Sequence, residues 1–530
     1  MLFTSYEFLG FLLVLFTLYY LLPAKIQWPL LLVASYLFYW CADPQYLIYI
    51  LVTTATVYIA ALHIQDNTTH QKAYLKEHKE ELSREEKQQY KAAQKRKRLR
   101  WLVLCLLVNL GILAVVKYTN FMIANLNGIV HALGCGDPLS FWNLALPMGI
   151  SFYTFQAVGY LVDVYRGTVN AQRNPFRFAL FISFFPQLVQ GPISRYGDLS
   201  RTLYEPHPFQ SQVVASGLQR MLWGYFKKLV IADRLLPTVT TLVGAPGMYS
   251  GAYALVGMLF YTVNLYADFT GGIDITIGIA ETMGITVQEN FHRPYFSKSL
   301  KEYWRRWHIS MASWFRDYVF YPVSISAPMQ TLTKVCRSKF GNQEGRRIPV
   351  YLATFLVWLA TGVWHGASWN FIVWGLSNFA VLMISEELEP LYARFHRRFH
   401  VAGTVWYNVF QVVRIFLLVA ALNLFDCYAS IGQSARTFFS IFTARNWHIL
   451  WDGSLLDLRL TLTDYTVLAG AILLVFGVSL AQRSGSVREK LRAKPYPVRF
   501  GVWYGLFLVV LLMGAYGIGY DASQFIYNRF

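Results

Sequence analysis

Apolar residues in this chain run together instead of alternating with polar ones. The runs are Phe8–Leu22, Trp28–Trp40, Tyr46–His63, Trp101–Val116, Leu146–Val162, Phe178–Leu188, Met221–Ile231, Ala252–Tyr266, Val350–Gly362, Phe371–Ile384, Trp406–Leu424, Tyr465–Leu480 and Val502–Ile518. The longest approach the roughly 17–25 residues that a helix needs to cross a bilayer core. They are apolar on all sides, which does not fit the alternating strands of a membrane β-barrel. Several are too short to cross alone. Short segments interrupted by Gly or Pro survive at membrane depth only when buried in protein or lining a cavity. The pattern predicts an all-α polytopic membrane protein with about 11–13 membrane helices, plus short re-entrant and interfacial ones.

The polar residues cluster between these runs. Residues 65–100 hold eleven Lys/Arg and six Asp/Glu, a net charge of +5. Charges at helical spacing, as in Lys76, Glu80 and Arg84, predict a solvated cytoplasmic helical insertion. The loops Lys334–Arg347 and Arg483–Arg499 are basic and are also expected in the cytoplasm, by the positive-inside rule. The final span then places Asp521–Phe530 on the far side, and the loop 426–464 is expected there too. Three crossings within Phe8–His63 put the N-terminus outside as well. No repeat or second domain is evident, so 1–530 reads as one membrane domain. Met1–Leu22 lacks a basic leader and reads as a retained span rather than a signal peptide.

Composition agrees with this picture. Of 530 residues, 55% are hydrophobic and 14% charged, where a soluble domain carries about a quarter charged. The net charge of +18 reads as positive-inside loops and contact with membrane lipid, not as nucleic-acid binding. Cys41, Cys105, Cys135, Cys336 and Cys427 are odd in number and contain no C-x-x-C pair, so neither a disulfide framework nor a metal site is predicted. There is no P-loop, dinucleotide fingerprint, H-E-x-x-H or G-x-S-x-G.

Ionisable residues in apolar sequence are costly and default to function. His365 sits in Thr361-Gly362-Val363-Trp364-His365-Gly366, between two apolar runs and close to Ser368 and Asn370. A helix from Val350 to Val363 would rise only about 20 Å, against a hydrocarbon core of about 30 Å. The expected result is a histidine at membrane depth on a glycine-broken turn. His308 lies in Trp304-Arg305-Arg306-Trp307-His308, where Trp and Arg equally fit an interfacial helix. Arg305 and Arg306 can pair with a phosphate-bearing donor, with lipid headgroups or with Asp317. Asp268 and Asp274 read as structural partners for Arg305, Arg306 or Arg316. Gln187 and Gln190 lie in a broken hydrophobic segment fit to line a cavity.

These pieces together resemble the membrane-bound O-acyltransferase (MBOAT) family, in its bacterial alginate O-acetyltransferase-like branch. The resemblance rests on Leu146–Gln156, Phe185–Pro192, Tyr266–Asp274, Glu289–Tyr295, Trp304–Asp317 and Val363–Gly366, with an aromatic ending Phe525–Phe530 that departs from the branch at Asn528-Arg529. It implies an MBOAT-type helical core with His365 as the catalytic histidine and His308 as a second functional position. Trp304, Arg305, Arg306, Trp364, Asn370, Gln187 and Gln190 become candidate substrate-binding residues. It implies no bound cofactor, with an acyl-CoA, acetyl-CoA, as donor substrate. It further implies a multi-pass protein of the bacterial cytoplasmic membrane, an extracytoplasmic SGNH-type acetyltransferase partner and a polysaccharide acceptor. D-alanyl transfer to teichoic acid is the rival within the family. A transporter or flippase is the rival outside it, since broken helices also fit transport.

Overall fold

The computed structural model describes residues 3–42, 44–134, 138–144, 146–428 and 430–516. Cys135, the ending Phe525–Phe530 and the whole far-side segment from Asp521 lie outside the described residues. The described residues are helical, with no strand among them. Six of their helices are long and apolar enough to cross a membrane. The number is seven if Trp369–Glu387 and Glu389–Phe399, bent by 53°, form one span. Other apolar runs of the sequence make shorter helices. Phe178–Leu188 is divided between Pro175–Ser183 and Phe185–Gln190, and Met221–Ile231 is interrupted by a π-helical turn at Phe226–Ala232.

The chain forms two compact units. The first comprises residues 1–217 and 279–288. Its helices Leu47–Glu77 and Arg84–Ala132 have 31 and 49 residues, about 46 and 74 Å at 1.5 Å per residue. Part of the surplus over the about 30 Å apolar core of a bilayer is the polar stretch 65–100. That stretch is a hairpin. Ser83 and Glu86 form a capping box at its turn. Its two arms are tied by Asn67 Nδ2 donating to Gln94 Oε1 at 2.6 Å and by Arg98 donating to Gln71 Oε1 at 2.6 Å. The core of this unit is the helix Ile150–Arg166, nearly all of whose residues are buried.

The second unit comprises residues 218–278 and 289–530. Its interior holds charged groups, and two clusters of them are ion-paired. Lys228 contacts Asp233 at 2.7 Å and Asp268 at 2.5 Å. Asp274 contacts Arg220 at 2.9 Å and Lys227 at 2.6 Å. Both aspartates thus have structural ion pairs, but with cations from the apolar-looking run Met221–Ile231 and the residue just before it. They do not pair with Arg305, Arg306 or Arg316. The geometry depends on a close helix crossing. A Cβ on Gly224 would lie 2.6 Å from the Gly271 carbonyl oxygen and 2.8 Å from the Ile275 amide nitrogen. Only hydrogen fits there, and the π turn that follows packs Lys227 and Lys228 against the carboxylates.

Gly224→Val should therefore lower the thermal unfolding midpoint in detergent by several degrees, through a backbone clash that no rotamer relieves. An unchanged midpoint would mean that these two helices do not meet backbone to backbone.

Candidate active site

His365 is the last residue of the helix Ala327–His365. This helix kinks at Gly341, whose φ of 80° is left-handed, and continues unbroken through Pro349. From Asn342 to His365 it rises about 36 Å, more than the run Val350–Gly362 allows. Length therefore does not force the turn after His365 to stop inside the membrane. The break itself falls where the sequence places it, at Gly366–Ser368, and Ser368 caps the returning helix Trp369–Glu387.

The two helices form a hairpin with glycine at its contact. A Cβ on Gly362 would lie 2.6 Å from the Phe371 carbonyl oxygen, and one on Gly375 would lie 2.5 Å from that of Trp358. Small residues let helix backbones approach this closely. The tight crossing sets the His365 ring against Trp374, with ring centroids 4.6 Å apart. His365 is half-buried. The Trp374 indole N–H is buried with no acceptor among the described residues.

His308 is held differently. It is completely buried, and its backbone is left-handed, with φ 49° and ψ 53°. For a residue with a Cβ this conformation costs roughly 1–2 kcal/mol, so its neighbours must enforce it. Asn290 does much of this, being itself fully buried. Its carbonyl accepts from the Ile309 amide at 3.0 Å. Its side-chain oxygen accepts from the Ser310 amide at 3.0 Å and the Ser310 hydroxyl at 2.9 Å. The His292 amide donates to the Arg306 carbonyl at 2.9 Å, so 290–292 and 306–309 clasp each other on both sides of the histidine. Phe269 meets the imidazole edge-on at 5.0 Å. Neither ring nitrogen bonds to another of the described residues. His308 lies outside the candidate spans, and burial pushes its imidazole far down from the ordinary value, to about 3. It is therefore neutral and offers one N–H and one lone pair.

Trp364 joins the two histidines. Its ring centroid is 6.1 Å from that of His308 and 5.1 Å from that of His365. Trp304 donates its indole N–H to Asn378 at 3.1 Å and meets Trp358 and Trp374 edge-on, so it secures the hairpin. Asn370 donates to the Tyr428 carbonyl. Arg305 is exposed, and Arg306 pairs with Glu302 at 2.5 Å. Gln187 and Gln190 are buried in the first unit, where Gln187 donates to Ser194 Oγ at 2.5 Å. Sequence reasoning missed Asn290 and Trp374. Each acts on a histidine distant in sequence, and neither has a local signature of its own.

A model of the membrane-bound O-acyltransferase family matches residues 168–333. The probable alginate O-acetylase AlgI of Azotobacter vinelandii is 36% identical over 73% of this chain and 69% of its own length. The chain belongs to the membrane-bound O-acyltransferase family. It is an acyltransferase. The probable AlgI of Pseudomonas aeruginosa is likewise 36% identical, over 71% of this chain and 64% of its own length. The teichoic acid D-alanyltransferase of Bacillus subtilis is 30% identical over 46% of this chain and 59% of its own. The paired histidines thus belong to an MBOAT acyltransferase with its relatives on both the acetyl and the alanyl side.

If Asn290 fixes His308 and His308 takes part in transfer, Asn290→Ala should leave helicity intact and lower the turnover number about 10–100-fold, the penalty of a displaced group. A change confined to KM would instead place Asn290 in substrate binding.

Proposed function

We propose that this chain takes acetyl from a cytoplasmic donor, an acetyl-CoA-type thioester, and passes it across the bacterial cytoplasmic membrane for O-acetylation of a cell-surface polysaccharide. The observation that carries this reading is the placement of two imidazoles on either side of Trp364, in a chain akin to alginate O-acetylases. His365 is the general base. It takes the proton from an acceptor hydroxyl while the hydroxyl oxygen bonds to the acetyl carbonyl carbon. The carbon–sulfur bond then breaks, and the proton leaves with the thiolate as thiol. Histidine suits this exchange because its proton affinity lies near working pH, and a positioned base is worth roughly 10²–10⁴-fold. The neutral N–H of His308 and the free indole N–H of Trp374 are donors for the oxyanion that forms in between. An extracytoplasmic SGNH-type transferase completes delivery to the polymer.

D-alanyl transfer is the second reading, because the teichoic acid enzymes share the family. The acetyl reading is preferred for the higher identity and wider coverage of the alginate relatives.

His365→Ala should abolish base-labile acetate on the surface polymer, with normal levels of the protein in the membrane. His308→Ala and Trp374→Phe should each reduce acetate, by about 10²-fold or more for an oxyanion donor. Unchanged acetate in His365→Ala cells would refute the assignment. Loss of D-alanine in place of acetate would select the second reading, and transport persisting without either histidine would favour a carrier.

A further inference from the structure

The second unit contains a cavity of about 720 Å³ that neither His308 nor His365 lines. Its lining combines two kinds of chemistry. One wall is apolar and built by Leu474, Val475 and Val478 of the helix Leu462–Ala481 with Val502, Leu506 and Val509 of the helix Tyr496–Met513. Both helices lie among the candidate membrane spans, and only 17% and 6% of their apolar windows are buried inside the protein. The apolar wall is therefore made by two helices that protein covers sparsely.

The lining also holds basic residues. These are Arg220, Lys227, Arg293 and Arg488, with two carboxylates, Asp274 and Glu289. Those carboxylates are engaged by Arg220 and Lys227. Arg293 has no ion pair among the described residues. Its guanidinium lies 4.8 Å over the Phe296 ring, and its Nε is buried with no hydrogen-bond partner among them. Arg306 and Arg483 are near enough to repel it, adding to the effect of its burial. A buried donor without an acceptor is expensive, and two neighbouring arginines add to the cost. Its backbone is also left-handed, at φ 50°, so the side chain is held there against strain. Ser479, Gln482 and Ser486 add polar groups to the lining.

We propose that this cavity binds an anionic glycerophospholipid, with its acyl chains along the apolar wall and its phosphate on Arg293. A basic pocket between membrane helices on the positive-inside face is the recognised form of such a site, and Gln482–Leu491 belongs to the loop expected in the cytoplasm. An acetyl donor also carries phosphate, but its two-carbon acyl group would leave the apolar wall unfilled, and it has to reach a histidine that does not line this space. The lipid would fasten Tyr496–Met513, the most sparsely covered of the candidate spans, to the rest of its unit. This inference does not rest on the acetyl-transfer reading.

The test uses the purified full chain in detergent, with native mass spectrometry for retained lipid and the thermal midpoint for stabilisation. The probes are phosphatidylglycerol, phosphatidylcholine and coenzyme A. We expect phosphatidylglycerol to be retained at least tenfold better than phosphatidylcholine and to raise the midpoint by several degrees. Arg293→Leu should erase that preference, and Arg293→Lys should keep part of it. Val478→Trp, which fills the cavity from its apolar wall and leaves the charges in place, should reduce retention of both lipids. It carries the test alone if Arg293→Leu does not fold. Equal retention of the two lipids, or phosphatidylglycerol binding untouched by Val478→Trp, would overturn the proposal. So would displacement of phosphatidylglycerol by coenzyme A, which would make this the donor's cavity.

Discussion

The contact on which the candidate active site depends is between backbones. Gly362 and Gly375 bring the helices Ala327–His365 and Trp369–Glu387 so close that a single Cβ would strike a carbonyl oxygen. The hydrophobic effect does little to hold helices together where the solvent is itself apolar, so such close packing and hydrogen bonding take over. Every feature of the His365 environment follows from that approach. The histidine stands at the end of one helix, Trp374 on the other is set against it, and Trp304 bonds to Asn378 across the pair. A looser crossing would keep the residues and lose the geometry.

The second unit uses the opposite solution a few helices away. Asp268 and Asp274, with Lys228, Lys227 and Arg220, bring charge into the packed helices as mutually compensating sets. Removing one partner of a buried pair typically costs about 3–5 kcal/mol, because the remaining charge is left uncompensated. These pairs are a weak source of net stability but a strong constraint on which face of each helix turns inward. Gly224 and the π turn after it are the local means by which adjacent lysines meet different carboxylates.

Much of this was legible in the sequence, for identifiable reasons. Long apolar runs announce helices, since nothing else satisfies the backbone in lipid. A histidine between glycines at the end of such a run announces a helix break. The charged stretch 65–100 is helical as its composition predicts, but Lys76, Glu80 and Arg84 straddle the turn between two helices and do not share one helix. The partners of the aspartates were not legible. Lys227 and Lys228 lie in a segment whose apolar neighbours made it read as a span, and pairing across forty residues leaves no local pattern. Asn290 was hidden similarly, because its side-chain oxygen does its work on a turn twenty residues away. The helix ending at His365 is longer than its apolar run because the basic stretch Lys334–Arg347, which reads as a loop, is itself helical on both sides of Gly341. Pro349 is tolerated inside a helix whose true interruption is Gly341.

The left-handed backbone at position 308 sets folding against the role proposed for its ring. Glycine would adopt that conformation without strain, and asparagine with little. A sequence selected for stability alone would drift toward them, and an imidazole there is a standing expense of the fold. Attempts to harden this protein by consensus or design methods would therefore meet an opposing demand at this position. The substitutions most favourable to the backbone would be those that remove the ring, so under the role proposed for His308 a gain in robustness at this residue would come with lost function.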